Sequence, residues 1–377
     1  MYVLHVATNF WRDVLKYLGM KDIEYLAIGA AVLGSGGGGD PYLGKLMAQQ
    51  AIKEKGDIPL VEVDDVPDDK LIIPSAMMGA PAVMVEKLPN GQEPEKALKA
   101  VASFFEQEVF GIISIEAGGI NSCIPVYTAG RLGLPLIDCD GMGRAFPEIP
   151  MVTFSIGGVD ASPMVCCDEK GNKVVIESIN NAWIETLSRA VTVAWGLSSI
   201  IGLYVMDGKT LKRHAVRGTI SLAMEIGRRI LESNERKISA VDSILELTDG
   251  FRLFEGKVTD IQRDLTTGFV RGKAVLDGID AYRGSSAVLE FQNEYLVAYR
   301  DDKLLAMVPD LITSLDRETG NPITTEHIRY GQRIVIIGMP CAAVWRTDAG
   351  LAQVGPRYFK YDIDYMPIEE LAGGKGS

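Results

Sequence analysis

The hydrophobic and polar positions near the N-terminus predict two helices joined by a glycine-rich loop. Asp22 can cap a helix over 23–33, in which apolar residues recur at helical spacing. Asp40 and Pro41 are typical of the N-cap and first residue of a second helix, which extends to about Lys55. The loop between them consists of five glycines and Ser35. Because it joins two helices, it does not match the strand–loop–helix context of a Rossmann fold.

Short apolar runs then alternate with helical patterns. The runs 111–115 and 134–138 are nearly continuous, which is typical of parallel strands buried on both faces. Further strands are predicted at 58–63, 71–74 and 152–156, and an amphipathic helix is predicted over 93–109. This alternation predicts an α/β fold whose mostly parallel sheet is covered by helices.

The second half of the chain has a different pattern. Two long helices are predicted, at 182–205 and 216–234, and short β segments follow from about residue 251. We therefore expect a helical pair followed by a β-rich C-terminal domain. The boundary is placed in the polar turn near Asp168, so the predicted domains are 1–168 and 169–377.

Composition narrows the class of protein. The chain has 377 residues, of which 47% are hydrophobic and 23% charged, as expected of a globular protein. Its net charge of −12 argues against nucleic acid or an anionic membrane as partner. The uncharged stretch 190–206 contains glycine, serine and threonine, which favours a buried helix over a membrane span.

The cysteines and the N-terminus bear on where the protein acts. Five sparse cysteines do not form a disulfide framework, and the N-terminus lacks a basic stretch followed by a long apolar run. We expect a cytoplasmic homo-oligomer that acts on a small molecule, with no nucleic-acid or membrane partner.

The glycine loop is the first candidate binding element. Consecutive backbone N–H groups beside a helix N-terminus can bind an anion or a carbonyl oxygen. We therefore predict ligand contacts from Ser35, Gly36, Gly37 and Gly38. The alternative is a tight helix–helix connection without ligand. A phosphate- or nucleotide-binding role also stays open, although the loop does not end in the Gly-Lys-Ser/Thr of a Walker motif.

Acidic side chains follow two of the predicted strands. Glu116 comes directly after the first, and Asp138 and Asp140 stand at the end of the next. Ligands of open α/β sheets bind beyond the carboxyl ends of the strands. These three carboxylates are candidates for acid–base catalysis, since close carboxylates raise one another's pKa. They are also candidates for holding a divalent metal ion. The alternative is a site that needs no cofactor. The alternative is that they only cap helices and turns.

Four further residues of these segments are candidates. Arg144 offers a planar fork for a substrate carboxylate, with Glu148 as its expected ion-pair partner. The N-cap of the next helix is expected at Asn121 or Ser122, and Asn121 is predicted to contact substrate. Cys123 would then lie in the first helical turn, where the helix dipole lowers a thiol pKa, so it is a candidate nucleophile. The alternative for Cys123 is a small buried core residue.

Several of these segments together resemble a known family. They are Gly34-Ser35-Gly36-Gly37-Gly38-Gly39-Asp40-Pro41, Met78-Gly79-Ala80-Pro81, Glu116-Ala117-Gly118-Gly119-Ile120-Asn121-Ser122, Asp138-Cys139-Asp140-Gly141-Met142-Gly143-Arg144-Ala145-Phe146-Pro147-Glu148 and the stretch 355–367. The residues of these segments and their order along the chain resemble the sequences of the S-methyl thiohydantoin desulfurase family over nearly the whole chain. Met1–Met20 lies outside the resemblance.

The resemblance implies a hydrolase of hydantoin-like five-membered rings. Water would replace a methylthio group, which gives a hydantoin and methanethiol. The family is linked to hydantoin utilisation, so the alternative is a non-catalytic subunit of a hydantoinase- or oxoprolinase-type complex. It also implies a nucleophilic cysteine, for which Cys123 and Cys341 are the candidates. An acid among Glu116, Asp138 and Asp140 would protonate the leaving group, and glycine-loop N–H groups would stabilise charge on the ring.

Overall fold

The computed structural model describes residues 16–80, 83, 87, 89–105, 107–266 and 269–373. The N-terminal stretch that was predicted not to be a secretory signal lies outside these residues, and so does Pro81. The helices are α1 (Met20–Leu33), α2 (Pro41–Lys55), α3 (Glu93–Ala102), α4 (Gly119–Leu132), α5 (Thr153–Ile156), α6 (Asn181–Ala194), α7 (Gly208–His214), α8 (Thr219–Arg236), α9 (Ala240–Thr248), α10 (Asp348–Val354) and α11 (Ile368–Gly373). The strands are β1 (Tyr17–Leu18), β2 (Ile58–Val61), β3 (Leu71–Gly79), β4 (Val109–Ser114), β5 (Leu136–Ile137), β6 (Cys139–Asp140), β7 (Met164–Cys167), β8 (Lys173–Ile176), β9 (Ser198–Gly202), β10 (Met206–Asp207), β11 (Val216–Arg217), β12 (Phe251–Thr266), β13 (Phe269–Gly278), β14 (Ser286–Gln292), β15 (Glu294–Arg300), β16 (Lys303–Met307), β17 (Leu311–Asp316), β18 (Pro322–Ile323) and β19 (Arg333–Met339).

The first sheet is mixed rather than mostly parallel. Its order is β1-β2-β5-β4-β3-β9-β7-β8, and β10 also pairs with β3. β2, β5, β4 and β3 run parallel, as the apolar runs predicted. The other pairings are antiparallel, because the chain returns through β7, β8 and β9 to extend the sheet beyond β3. The α/β class is confirmed, whereas the parallel part is confined to four strands.

The predicted helix over 182–205 is wrong in its second half. α6 ends at Ala194, and the chain turns through Gly196 and Leu197, which have φ angles of 84° and 66°. The next residues form β9, which is buried between β3 and β7. An uncharged run suits a strand covered on both faces as well as a buried helix, so periodicity does not separate the two. No helix in the described part of the chain is long and apolar enough to span a membrane.

Two further predictions have different outcomes. The strand expected at 152–156 is wrong, because Thr153–Ile156 form one helical turn, α5. The helix expected at 216–234 is confirmed as α8, which packs against α1 and so buries the helix that leads into the glycine loop.

The C-terminal part forms an antiparallel eight-stranded sheet, so the prediction of a β-rich region is confirmed. Its order is β16-β15-β14-β13-β12-β19-β17-β18. Hydrogen bonds join this sheet to the end of α1: Thr313 Oγ1 donates to the carbonyl of Val32 at 2.8 Å, and the amide of Tyr295 donates to the carbonyl of Ser35 at 2.8 Å. The glycine loop therefore lies where the two sheets meet.

Candidate active site

The glycine loop is held from both sides. Asp40 caps α2 by accepting the amide of Tyr42 at 2.8 Å, as the sequence predicted. The carbonyl of Gly36 accepts the amide of Thr325 at 2.9 Å, and the carbonyl of Gly38 accepts the amide of Ile120 at 2.9 Å. Ser35 is buried and does not line the cleft, although its neighbours Gly36, Gly37 and Gly38 do.

Two of these glycines are required by close packing. A Cβ at Gly37 would lie 2.0 Å from Oε1 of Glu294. A Cβ at Gly38, where φ is +70°, would lie 2.5 Å from the Cα of Gly118. The run of glycines therefore lets the backbone approach a buried carboxylate on one side and the start of α4 on the other.

Glu116 lies at the end of β4 and reaches this cleft. Nδ2 of Asn121 donates to its Oε1 at 2.7 Å, while Oδ1 of Asn121 accepts the amide of Met77 at 2.7 Å. Burial raises the pKa of Glu116 to about 7, and hydrogen bonds from Asn121 and the Phe146 amide, with the charge of Arg144, limit the rise. The side chain therefore changes protonation near neutral pH, as a general acid–base catalyst requires. Asn121 is within α4 rather than at its N-cap, which is Gly118.

The second acid of the cleft is Glu294, which the sequence analysis missed. It is the first residue of β15 and is buried, and its Oε2 has no hydrogen-bond partner among the described residues. Burial and the nearby Glu116 carboxylate raise its pKa well above the ordinary value, although Arg144 and the Gly38 amide act in the opposite direction. The raised pKa favours the protonated form of Glu294, which is the form that can donate a proton.

Arg144 is close to both acids but does not line the cleft. It is fully buried, and its NH1 donates to the carbonyls of Pro309 and Asp310, each at 2.8 Å. Its guanidinium carbon lies 4.6 Å from the ring centre of Phe146. The prediction that Arg144 grips a substrate carboxylate is wrong, because backbone carbonyls occupy its donors. Its charge instead favours the ionised forms of Glu116 and Glu294.

The two aspartates also lie outside the cleft. Asp138 accepts the amides of Ile220 at 2.9 Å and Ser221 at 3.0 Å, and thus holds the first turn of α8. Oδ1 of Asp140 accepts the amide of Gly143 at 2.8 Å, and burial raises the pKa of Asp140 well above its ordinary value. The alternative that these acids serve turns and helix ends fits both positions.

A metal site built from Glu116, Asp138 and Asp140 is not formed. Within the described residues, no group of three or more His, Cys, Asp or Glu side chains is placed to hold a metal ion.

Cys123 is a core residue. It is fully buried on α4, where a Cβ at Gly44 of α2 would lie 2.9 Å from its Cβ. Burial raises the pKa of the thiol to about 12. The expectation of a lowered pKa is therefore wrong, because α4 begins at Gly119, which leaves Cys123 beyond its first turn, and burial disfavours the thiolate. Cys341 is also buried with a pKa raised to about 12, and no cysteine lines the cleft in the part of the chain that the structure describes.

The cleft is lined by several acidic side chains and by one cationic side chain. It encloses about 860 Å³ of empty space including its open mouth, and its lining glutamates are Glu116, Glu148, Glu294 and Glu326. Glu148 accepts the hydroxyl of Tyr358 at 2.6 Å rather than pairing with Arg144. Arg189 of α6 is the only cationic side chain among the described residues that line the cleft. It pairs with Glu185, and its guanidinium carbon lies 4.3 Å from the ring centre of Phe269.

Comparison with known proteins agrees with the motifs. A family model described as "S-Me-THD-like, N-terminal domain" matches residues 21–178, and the corresponding C-terminal model matches residues 179–368. The chain belongs to the S-Me-THD-like family. The family resemblance predicted from the sequence is thereby confirmed.

The fold of this S-Me-THD-like chain also occurs in a solved structure. The crystal structure of a protein from Chromobacterium violaceum is similar, with a TM-score of 0.82 and 24% sequence identity. The similarity covers 94% of this chain and all of the other. No curated protein matches the chain. At this identity the comparison shows the fold alone.

Proposed function

We propose that this S-Me-THD-like protein hydrolyses a hydantoin-like five-membered ring, and that the reaction removes methanethiol from an S-methyl thiohydantoin. The observation that carries the proposal is the pair of buried glutamates in one cleft. The pKa of Glu116 is raised to about 7, and that of Glu294 lies well above its ordinary value. Two carboxyl groups with raised pKa values in one cleft can serve as base and acid in one reaction.

The roles follow from the two protonation states. Ionised Glu116 takes a proton from water, whose oxygen forms a bond to the ring carbon that carries the methylthio group. Protonated Glu294 donates its proton to the ring nitrogen as the C=N double bond opens. When the C–S bond breaks, Glu116 gives its proton to the departing thiolate and the new hydroxyl returns a proton to Glu294. The products are the hydantoin and methanethiol, and both carboxyl groups regain their starting states.

Water is the nucleophile in this proposal. A thiolate is the reactive form of cysteine, and a cysteine nucleophile must reach the substrate. The candidate thiols Cys123 and Cys341 are buried, and burial raises the pKa of each to about 12. Water activated by Glu116 therefore takes the place of Cys123 as the proposed nucleophile.

The phosphate-binding alternative loses support from the charges around the loop. The Gly38 amide interacts with Glu294, so the protein supplies its own carboxyl group to the glycine loop. Three more glutamates line the same cleft, and they would repel a phosphate.

The proposal is tested by measuring methanethiol release from an S-methyl thiohydantoin with a thiol-reactive dye. We expect turnover by the wild type, and a loss of about 10²–10⁴-fold in kcat for Glu116→Gln and for Glu294→Gln. Glu24→Gln, on the exposed side of α1, is the matched control and retains full turnover. Absence of turnover by the folded wild type on a panel of ring substituents would favour the non-catalytic subunit instead. Full turnover by both cleft variants would refute the assigned roles.

A further inference from the structure

β8 is an open edge of the mixed sheet. It is the terminal strand beyond β7, and no strand in the described part of the chain pairs with its outer side. The amide of Asp168 donates to the carbonyl of Asn172 at 3.1 Å, which fixes the alternation of hydrogen bonding in the β7–β8 hairpin. Backbone groups at alternate positions therefore face outward; these positions are Lys173, Val175 and Glu177. A free edge of this kind can pair with another strand.

The residues at this edge are complementary to themselves. The sequence 173–177 reads Lys-Val-Val-Ile-Glu, with a positive charge at one end and a negative charge at the other. Antiparallel pairing of two copies about a two-fold axis at Val175 places Lys173 opposite Glu177 of the second copy, and the reverse pair on the other side. The outward-facing backbone groups at Val175 then bond to each other. Opposite charges at directly opposed positions stabilise such a pair.

The outer face of α6 continues this surface. Ile179, in the link between β8 and α6, is 86% exposed, and Trp183 is 49% exposed. Leu187 and Val193 are also exposed, whereas the helix's two charged residues, Glu185 and Arg189, pair with each other. A contiguous uncharged surface of this kind marks an interaction site. Two copies of a chain with a net charge of −12 repel each other, whereas the only charged residues of α6 are paired with each other and add little to that repulsion.

We propose that a second copy of this chain docks here, with β8 paired to β8 in antiparallel register and the outer faces of the two α6 helices side by side. A two-fold axis perpendicular to the sheet keeps both helices on the same face of one continuous sheet. The interface lies behind the cleft, because the opposite side of α6 carries Arg189. This inference is independent of the proposed reaction.

Sedimentation velocity of the full chain tests the interface. The wild type is expected to sediment at twice the chain mass of 40.9 kDa. Lys173→Glu and Glu177→Lys each place like charges opposite one another at two positions, so each is expected to raise the dimer dissociation constant by at least roughly tenfold. An equimolar mixture of the two variants restores a dimer, as does the double variant. Lys170→Glu makes the same charge change in the neighbouring turn and leaves the dimer intact.

Circular dichroism checks that every variant is folded. A wild type that remains at 40.9 kDa at its highest soluble concentration overturns the proposal. Single variants that dimerise as the wild type does place the interface on another face. Failure of the mixture and of the double variant to recover the dimer refutes the register centred on Val175.

Discussion

Replacement of Glu116 by glutamine is predicted to change how stability depends on pH. The pKa of Glu116 rises from an ordinary value of 4.5 to about 7 on folding, chiefly because the side chain is buried. The folded protein therefore binds this proton more tightly than the unfolded chain. The resulting stability is fully present below pH 4.5 and is lost as the pH rises through about 7.

The size of the effect follows from the shift. At about 1.4 kcal/mol per pKa unit, the change from 4.5 to about 7 corresponds to about 3 kcal/mol. Wild-type stability should fall by about this amount, relative to Glu116→Gln, between those two pH values. Any constant cost of the substitution, such as an altered bond to Asn121, moves the whole curve without changing its slope.

Urea unfolding at a series of pH values measures the difference. The free energy of unfolding is determined for the wild type, for Glu116→Gln and for the exposed-site control Glu24→Gln. We expect the curves of the wild type and the control to run parallel, and the curve of Glu116→Gln to diverge upward from pH 4.5 to 7. Three parallel curves would refute the raised pKa, and with it the argument that Glu116 acts as a base near neutral pH.

Three further predictions concern other parts of the cleft and the core. Arg189→Gln should raise KM for a ring that carries a carboxylate substituent more than for its amide analogue, because Arg189 is the cationic side chain that lines the cleft. Arg189→Lys should lower KM for the carboxylate substrate part of the way back to the wild-type value. Equal effects on both substrates would refute this role. Gly37→Ala should lower kcat and destabilise the fold by about 1–3 kcal/mol in urea unfolding, because its Cβ would lie 2.0 Å from Glu294; an unchanged kcat would contradict that contact. Cys123→Ala should keep kcat within about twofold of the wild type in the methanethiol assay, because the thiol lies outside the cleft; complete loss in a folded variant would restore the cysteine as nucleophile.

The part of the cleft next to the parallel strands, with Glu116 and the glycine loop, could be predicted from the sequence. The apolar run 111–115 includes the end of β4, and the position of Glu116 directly after this run placed the acid at the carboxyl edge of the sheet. The glycine loop was also predicted, because Asp40 caps α2 directly after it. The N-cap predicted at Asp22 is wrong, since α1 begins at Met20 with Gly19 as its N-cap. These features are local, so patterns within a short segment are sufficient to identify them.

The other half of the cleft depends on contacts between distant segments. Glu294 follows Asn293, whose φ is +58°, at a tight turn between two strands, and such a position is usually a solvated one. It is buried only because the second sheet docks against Gly37. Asp138 and Arg144 were misplaced for the same reason, since their partners, the amides of α8 and the carbonyl of Pro309, lie far along the chain.

The proposed reaction requires that Glu116 and Glu294, which line one cleft, act as a base and an acid with raised pKa values. Carbon NMR of protein labelled at the glutamate carboxyl carbons tests it directly, with Glu116→Gln and Glu294→Gln used to assign the two signals. We expect the Glu116 signal to titrate near pH 7 and the Glu294 signal to titrate well above 4.5, and we expect removal of Glu116 to lower the midpoint of Glu294. Titration of both signals at the ordinary value, each unaffected by loss of the other, would contradict it.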